Sequence, residues 1–268
     1  MMRAAMRAAI LLAIELCAAI ASGQSPVLDP PIYTAASIAN TAAAVAGLYA
    51  PNTFVTIYGQ NLAFVTVAIS PDDIRGGMLP TALEGTGVRV LINQIAADIY
   101  YVSPGQVNIL IPTILVAGPA TVQLEVDGIA GPAIPIVLGA TAPALFQLDA
   151  TNVLATHTDY SLVTPTAPAQ PGEVIVLYAT GLGATIPAAI PNQIPQTAAT
   201  LADTTDFQVV LNGAPVDPGS ILYAGVVPGY AGLFQINVVI PAGAPANPEV
   251  RVGSSALLSP SGRYLPVQ

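Results

Sequence analysis

The chain has 268 residues, of which 15 are acidic, six are basic and one is histidine, and its formal net charge at pH 7 is −9. So few basic groups cannot neutralise many phosphates, which excludes nucleic-acid binding as an expected function. One cysteine and one histidine exclude a disulfide framework and a zinc site built from several such residues.

Residues 1–23 are predicted to be a secretory signal peptide. Arg3 and Arg7 give a positive start, residues 8–20 form an apolar stretch, and small residues that suit cleavage follow. The stretch is too short to span a membrane, which takes about 20 residues. A lipoprotein acylated at Cys17 and an uncleaved anchor are the alternatives. The sequence therefore predicts a secreted protein, extracellular or periplasmic, with no membrane span in the mature chain.

The rest of the chain has the pattern of an all-β protein. Short runs rich in Val, Ile, Leu and Tyr alternate with Pro, Gly, Asn and Asp, and 26 prolines oppose long helices. Asp127-Gly128 and Asn212-Gly213 are hairpin-turn signals. The Ala-rich segment 35–47 is predicted to be mostly extended or irregular. The predicted strands are 54–58, 87–92, 107–111, 121–126, 174–178, 207–211 and 233–240.

An internal repeat divides the mature chain into two copies. Residues 51–62 match 171–182, residues 88–93 match 207–212, and residues 106–112 match 235–241, in the same order. The offset grows before the third block, which places an insertion near 219–232 in the second copy. Each copy has the size of one sandwich domain. The prediction is a first domain at 24–140, a hairpin and Pro-rich connector at 141–170, and a second domain at 171–268.

These motifs carry a family resemblance. The pattern Val55-Thr-Ile-Tyr-Gly, with a preceding proline, resembles the first strand of IPT/TIG domains, which are immunoglobulin-like folds of the E-set type. Most of the mature chain resembles the Solibacter-type C-terminal domain family of secreted acidobacterial proteins. The resemblance implies a secreted tandem immunoglobulin-like region without an established enzyme activity or assigned site residues. Residues 257–268 depart from the pattern, because Pro260 and Pro266 fall where a regular strand is expected. The matching stretches are 35–37, 55–63, 101–108, 142–146, 171–183, 212–215 and 228–241.

The repeated Gln-x-Asn-x-x-Ile-Pro motif is the most prominent polar feature. Strand alternation places Gln106 and Asn108 on one face and aliphatic residues on the other, and it does the same for Gln235 and Asn237. Such an amide face could bind sugar hydroxyls, or it could satisfy loop backbone or pack at a domain junction. The candidate ligand-binding residues are Gln106, Asn108, Tyr230, Gln235 and Asn237, and the aromatic platforms considered are Tyr101, Tyr223, Tyr230 and Phe234.

Other reactive residues give weaker signals. His157 lies in a polar turn near Asp159 and Ser161, but spacing alone does not make these a catalytic triad. The pairs Asp72-Asp73 and Asp203/Asp206 could help to bind calcium, although neither has an EF-hand pattern. We therefore predict no catalytic residue, no cofactor and no metal site.

The functional prediction is a non-catalytic secreted or cell-surface module of two tandem immunoglobulin-like β-sandwiches. Its mechanism would be surface complementarity with an unidentified protein or glycan at the cell surface. The first alternative is a carbohydrate-binding protein that uses the amide and aromatic face. The second is an extracellular hydrolase.

Overall fold

A computed structural model describes residues 29–268, so the predicted signal peptide lies outside the described residues. Within this range the chain forms twenty β-strands and three 3-10 helices, Ala35–Ser37, Pro71–Asp73 and Pro218–Ser220, and no α-helix. All strand pairs are antiparallel, apart from single parallel bridges that the C-terminal segment makes. The predicted all-β class is confirmed. No helix in 29–268 has the length and apolar character needed to cross a membrane.

The strands are numbered in chain order. They are β1 Ile38–Asn40, β2 Phe54–Tyr58, β3 Val67–Ala68, β4 Val88–Ile92, β5 Ile95–Ala96, β6 Asp98–Ser103, β7 Gln106–Leu110, β8 Gly118–Val126, β9 Ile129–Ala130, β10 Ile134–Leu138, β11 Ala144–Leu145, β12 Ala155–His157, β13 Val174–Thr180, β14 Thr185–Ile186, β15 Ala199–Leu201, β16 Phe207–Leu211, β17 Ala214–Pro215, β18 Ile221–Val226, β19 Phe234–Val239 and β20 Val250–Ser254.

The chain divides into two compact units. The N-terminal unit contains the described residues up to Thr141 together with Ala189–Ile194. One of its sheets has the order β1-β2-β7-β6-β3, and the other has the order β10-β8-β4-β5, with β9 paired to β8. Aliphatic side chains from the inner faces of both sheets, such as Val55 and Leu124, form one core. The unit is therefore a β-sandwich.

The C-terminal unit contains Ala142–Ala188 and Pro195–Gln268. Its larger sheet has the order β11-β13-β19-β18-β15-β14, with β12 also paired to β13, and its smaller sheet has the order β17-β16-β20. Phe234 and Ile236 of the larger sheet pack in one core with Val209 and Val252 of the smaller sheet. This unit is also a β-sandwich.

The two units repeat the same strand pairing. In the N-terminal unit β7 lies between β2 and β6, and in the C-terminal unit β19 lies between β13 and β18. The register is also the same, because Thr56 lies opposite Asn108 and the equivalent Val176 lies opposite Asn237. The hairpin signals Asp127-Gly128 and Asn212-Gly213 adopt positive φ at both residues, as a tight turn of the primed type requires.

The segment 141–170 differs from its prediction as a connector. Its strands β11 and β12 both pair with β13, and Val153, Val163 and Ala169 are buried in the core of the C-terminal unit. Ala155 lies opposite Leu177, as Ile38 lies opposite Ile57 in the other unit. The segment is therefore an integral part of the second sandwich.

The last segment, 257–268, forms no regular strand. Tyr264 makes single bridges with Asn152 and Glu249, and prolines interrupt the ladder around it. Leu265 and Val267 are nevertheless buried in the core. Side-chain burial and separate backbone hydrogen bonds, such as those of Ala169 with Pro266 and Gln268, therefore hold this end of the chain without a continuous ladder.

The central position of Phe234 yields a stability prediction. Phe234→Ala removes a fully buried ring from the core and should lower the free energy of unfolding of the C-terminal unit by about 3–5 kcal/mol. Val239→Ala, on the half-buried outer face of the same strand, should cost less than about 1 kcal/mol. Urea titrations of both variants measure the difference, and equal losses would contradict this account of the core.

Candidate functional site

The amide motif of the C-terminal unit lies on the outer face of β19. Ile236 and Val238 point into the core, so alternation turns Gln235 and Asn237 outward, where both are half-buried. The two amides contact each other, with Gln235 Nε2 donating to Asn237 Oδ1 at 2.7 Å. The motif is thus an amide pair along one strand, placed on a partly exposed sheet face.

The equivalent pair in the N-terminal unit has the same hydrogen bond but a different environment. Gln106 Nε2 donates to Asn108 Oδ1 at 2.9 Å. Here the outer face of β7 is buried along its whole length, and Asn108 is only 2% exposed. Asn108 Nδ2 has no hydrogen-bond partner. A ligand at the protein surface would not reach this pair.

Tyr223 lies beside the exposed amide pair. It sits opposite Asn237 on β18, and Gly225 sits opposite Gln235. A Cβ atom on Gly225 would lie 2.6 Å from Tyr223 Oη and 2.8 Å from its Cζ, so the tyrosine ring occupies the space above this glycine. Tyr223 Oη donates to the Val226 carbonyl at 3.0 Å. The glycine and this hydrogen bond hold the ring along the strand, next to both amides.

The insertion in the second copy adds Tyr230 to the same region. The β6–β7 turn of the N-terminal unit consists of residues 104–105, whereas residues 227–233 connect β18 to β19. Tyr230 lies in this longer connection and is half-buried. Val227 N donates to the Leu233 carbonyl at 3.0 Å across the base of this connection, so Tyr230 lies in a hairpin loop at the end of β18 and β19.

Two of the aromatic platforms considered from the sequence lie elsewhere. Phe234 is fully buried in the core of the C-terminal unit, so it offers no ring to a ligand, and that expectation was wrong. Tyr101 lies opposite the buried Asn108 in the N-terminal unit. The structure thus brings together Tyr223, Gln235 and Asn237, with Tyr230 in the loop that joins their two strands, while Gln106 and Asn108 belong to the other unit. Ligand binding by any of these residues remains a prediction.

His157 is bound at both ring nitrogens. Nδ1 contacts Glu173 Oε1 at 2.5 Å, and Nε2 contacts the Ala167 carbonyl at 3.2 Å. Both partners are acceptors, so the arrangement suits the protonated ring. Burial lowers the pKa of His157, but the hydrogen bonds that the ring donates to Glu173 and Ala167 outweigh this effect, and the pKa is raised above its usual 6.5.

The carboxylates mostly cap turns. Asp73 Oδ2 accepts from the backbone N and the Oγ of Ser70, both at 2.7 Å, at the start of a 3-10 helix. Asp203 accepts from Thr205 N, and Asp206 accepts from Ser255 N. Asp73, Asp203 and Asp206 therefore each accept backbone hydrogen bonds at separate places. Within residues 29–268 no group of three His, Cys, Asp or Glu side chains could hold a metal ion.

Asp98 has an unusual environment that the sequence did not reveal. Its side chain is 3% exposed, and Asn192 Nδ2 donates to its Oδ1 at 2.5 Å. Asn192 belongs to the segment 189–194, which is part of the N-terminal unit, and its carbonyl accepts from Leu79 N at 2.7 Å. Burial raises the pKa of Asp98 to about 6, although the hydrogen bond from Asn192 opposes the rise. No local motif marks this contact, because the two residues are far apart in sequence.

No protein-family model and no curated protein matches the chain. Among solved structures, it is similar to a protein of the mixed-linkage glucan utilization locus of Bacteroides ovatus, in complex with a heptasaccharide, at 10% identity and a TM-score of 0.34 over 83% of this chain and 44% of that one. A surface glycan-binding protein from Prevotella bryantii is 12% identical, with a TM-score of 0.26, and the match covers 91% of this chain and 43% of that one. The Escherichia coli adhesin FdeC is 14% identical, with a TM-score of 0.25, and the match covers 90% of this chain and 66% of that one.

The chain spans less than half the length of the first two of these structures. At such TM-scores the similarity transfers neither a ligand nor a site to this protein.

The His157–Glu173 pair yields a pH prediction. Because the folded-state pKa of His157 is raised, its contribution to stability is fully present below about pH 6.5 and is lost as the pH rises through the folded pKa. NMR titration of this single histidine should give a pKa above 6.5, and Glu173→Gln should lower it. A wild-type pKa at or below 6.5 would contradict the assignment.

Asp98 yields a second pH prediction. The rise of its pKa from 3.8 to about 6 corresponds to about 3 kcal/mol in favour of the neutral form, so stability falls as the pH rises from about 4 through 6. Asp98→Asn should therefore stabilise the N-terminal unit by up to about 3 kcal/mol near pH 8 and change little near pH 4. Urea titrations at both pH values measure this, and an equal loss of stability at both would refute it.

Proposed function

We propose that this protein is a non-catalytic binding module of the cell exterior, built from two tandem immunoglobulin-like sandwiches. The observation that supports it is that, within residues 29–268, the single histidine and the carboxylates with shifted pKa values are engaged in contacts that hold the fold. His157 has both ring nitrogens bonded, and Glu173 also accepts from Gln170 N at 2.9 Å. A general base needs a free nitrogen directed at a substrate, which this histidine lacks.

The turn carboxylates support the same conclusion. Asp149 accepts from the backbone of Thr151 and Asn152, and Asp159 accepts from Ser161. These hydrogen bonds lower the pKa values of both aspartates, which favours permanently ionised caps over a proton donor. A two-carboxylate hydrolase needs one acid with a raised pKa opposite a second carboxylate. Asp98 has a raised pKa, but its partner is the amide of Asn192.

A comparison of the two copies identifies exposed surface that the fold does not need. Ile114 is 61% exposed and Val116 is 79% exposed, on either side of Leu115, which packs against the core. The equivalent turn of the C-terminal unit has the same hydrogen bond, from Ala244 N to the Pro241 carbonyl, with Gly243 and Pro245 at the exposed positions. Exposed aliphatic side chains that the turn does not require favour a role in contacts with a partner.

Carbohydrate binding is the second candidate function. The half-buried amide pair, with Tyr223 beside it and Tyr230 in the loop that joins the two strands, favours this candidate, because amides and aromatic rings can bind sugars without charge. Secretion through the predicted signal peptide and membership of the Solibacter-type family belong to the same proposal. Both rest on the sequence pattern.

The proposal predicts binding without turnover. Mature protein incubated with soluble polysaccharides and with chromogenic esters should release no reducing ends and no chromophore above a buffer blank. In parallel, immobilised protein should retain a component of a cell-envelope extract that a matched column of heat-unfolded protein does not retain. Turnover that disappears in Asp98→Asn or His157→Gln variants would contradict the proposed function.

A further inference from the structure

We infer that the face formed by Tyr223, Tyr230, Gln235 and Asn237, here called the tyrosine–amide face, binds a neutral glycan chain. The inference rests on the proposed function and names the ligand class of one surface. All four side chains are partly exposed in the whole chain. They lie on the outer side of β18 and β19 and on the connection between these strands.

The Tyr223 ring supplies an apolar surface of fixed position. Gly225 leaves room for the Tyr223 ring, and the hydrogen bond from Tyr223 Oη to the Val226 carbonyl keeps it there. A ring that is already fixed loses little conformational entropy when a ligand packs on it. Sugar rings have apolar C–H faces, so an aromatic surface of this kind contacts them favourably.

The amide pair supplies hydrogen-bonding groups that still have capacity. The two amides together have four N–H bonds and two oxygens, and their mutual hydrogen bond uses one N–H bond and one acceptor position. That bond also orients both amide planes. The remaining groups include donors and acceptors, which suits a hydroxyl, since a hydroxyl both donates and accepts.

The charges favour a neutral ligand. The arginines of the C-terminal unit are Arg251 and Arg263, and each donates to a backbone carbonyl, Ser259 O at 2.6 Å and Ala150 O at 2.5 Å respectively. The formal net charge of the chain is −9. A uronic-acid or sulfated polymer would thus meet net repulsion, and none of the four side chains of the tyrosine–amide face carries a positive charge to bind it.

The N-terminal unit provides an internal comparison. It has the same Gln-x-Asn pair and a tyrosine at the position equivalent to Tyr223, but its short β6–β7 turn has no counterpart of Tyr230. Its amides are also buried. The longer connection is therefore found in the C-terminal unit, which is also the unit whose amide pair is accessible. This is expected if the insertion serves binding.

Affinity electrophoresis of the full mature chain tests the inference. Each gel contains one soluble polymer. The neutral polymers are a β-glucan and a galactomannan, and the anionic polymer is polygalacturonate. We expect at least one neutral polymer to retard the protein and polygalacturonate not to do so. Tyr230→Ala and Gln235→Ala should each weaken the retardation at least about tenfold, whereas Tyr230→Phe should keep it. The matched control is Tyr101→Ala, in the other copy, which should bind like the unmodified chain.

Circular dichroism melts of every variant establish that the fold is intact, and Tyr230→Phe and Gln235→Ala keep the test valid if Tyr230→Ala unfolds. The inference would be overturned if no neutral polymer retarded the protein or if polygalacturonate alone did so. It would also be overturned if Tyr230→Ala and Gln235→Ala both left the retardation unchanged. These outcomes leave the proposed non-catalytic role intact. Shortening of the polymer by the protein would instead contradict that role.

Discussion

The alternation of side chains along the central strands β7 and β19 is the constraint on which the other features depend. On β19, Ile236 and Val238 must enter the core to join the two sheets, so Gln235 and Asn237 must face outward. A shift of one residue would bury both amides and expose the aliphatic side chains. The hydrogen bond between residues two apart then follows from the geometry, because side chains at this spacing lie on the same face of a strand.

The two copies share the strand arrangement that this constraint imposes and differ in the connections between strands. Pairing, register and the amide hydrogen bond are the same in both units, so these features belong to the sandwich itself. The differences lie at the connections, where residues 227–233 replace a two-residue turn and Ile114 and Val116 replace Gly243 and Pro245. Loops tolerate insertion far better than core strands do. Functional divergence between the copies is therefore expected at these connections.

The sequence predicted the parts of the fold that have long apolar alternation. The runs 54–58 and 207–211 coincide with β2 and β16, and the strand class and the position of the insertion were also readable. Strands β1 and β12 have only three residues each, too few for alternation to be distinguished from a loop, so 141–170 was predicted as a connector. Each pairs with the next strand along the chain, β2 or β13, but an irregular segment intervenes, so no tight-turn signal marks the pair.

The candidate site was predictable in its residues but not in their accessibility. Asn108 and Asn237 have nearly identical local sequences, yet one is buried and the other is half-exposed. Burial of an outward-facing side chain depends on what covers the sheet, and periodicity carries no information about that. For the same reason the position of the Tyr223 ring above Gly225 could not be read from the sequence, although a glycine within a strand is a general sign of close approach.

The scarcity of charge gives the remaining ionisable groups opposite pH dependences. Turn aspartates such as Asp149 and Asp159 have lowered pKa values because they accept backbone and side-chain hydrogen bonds, so their contribution is present above their usual pKa and is lost in acid. Asp98 and His157 have raised pKa values, so their contributions are lost as the pH rises. Asp98 begins to lose its contribution above about pH 4 and His157 above about pH 6.5, so the two sets of groups respond to pH in opposite directions.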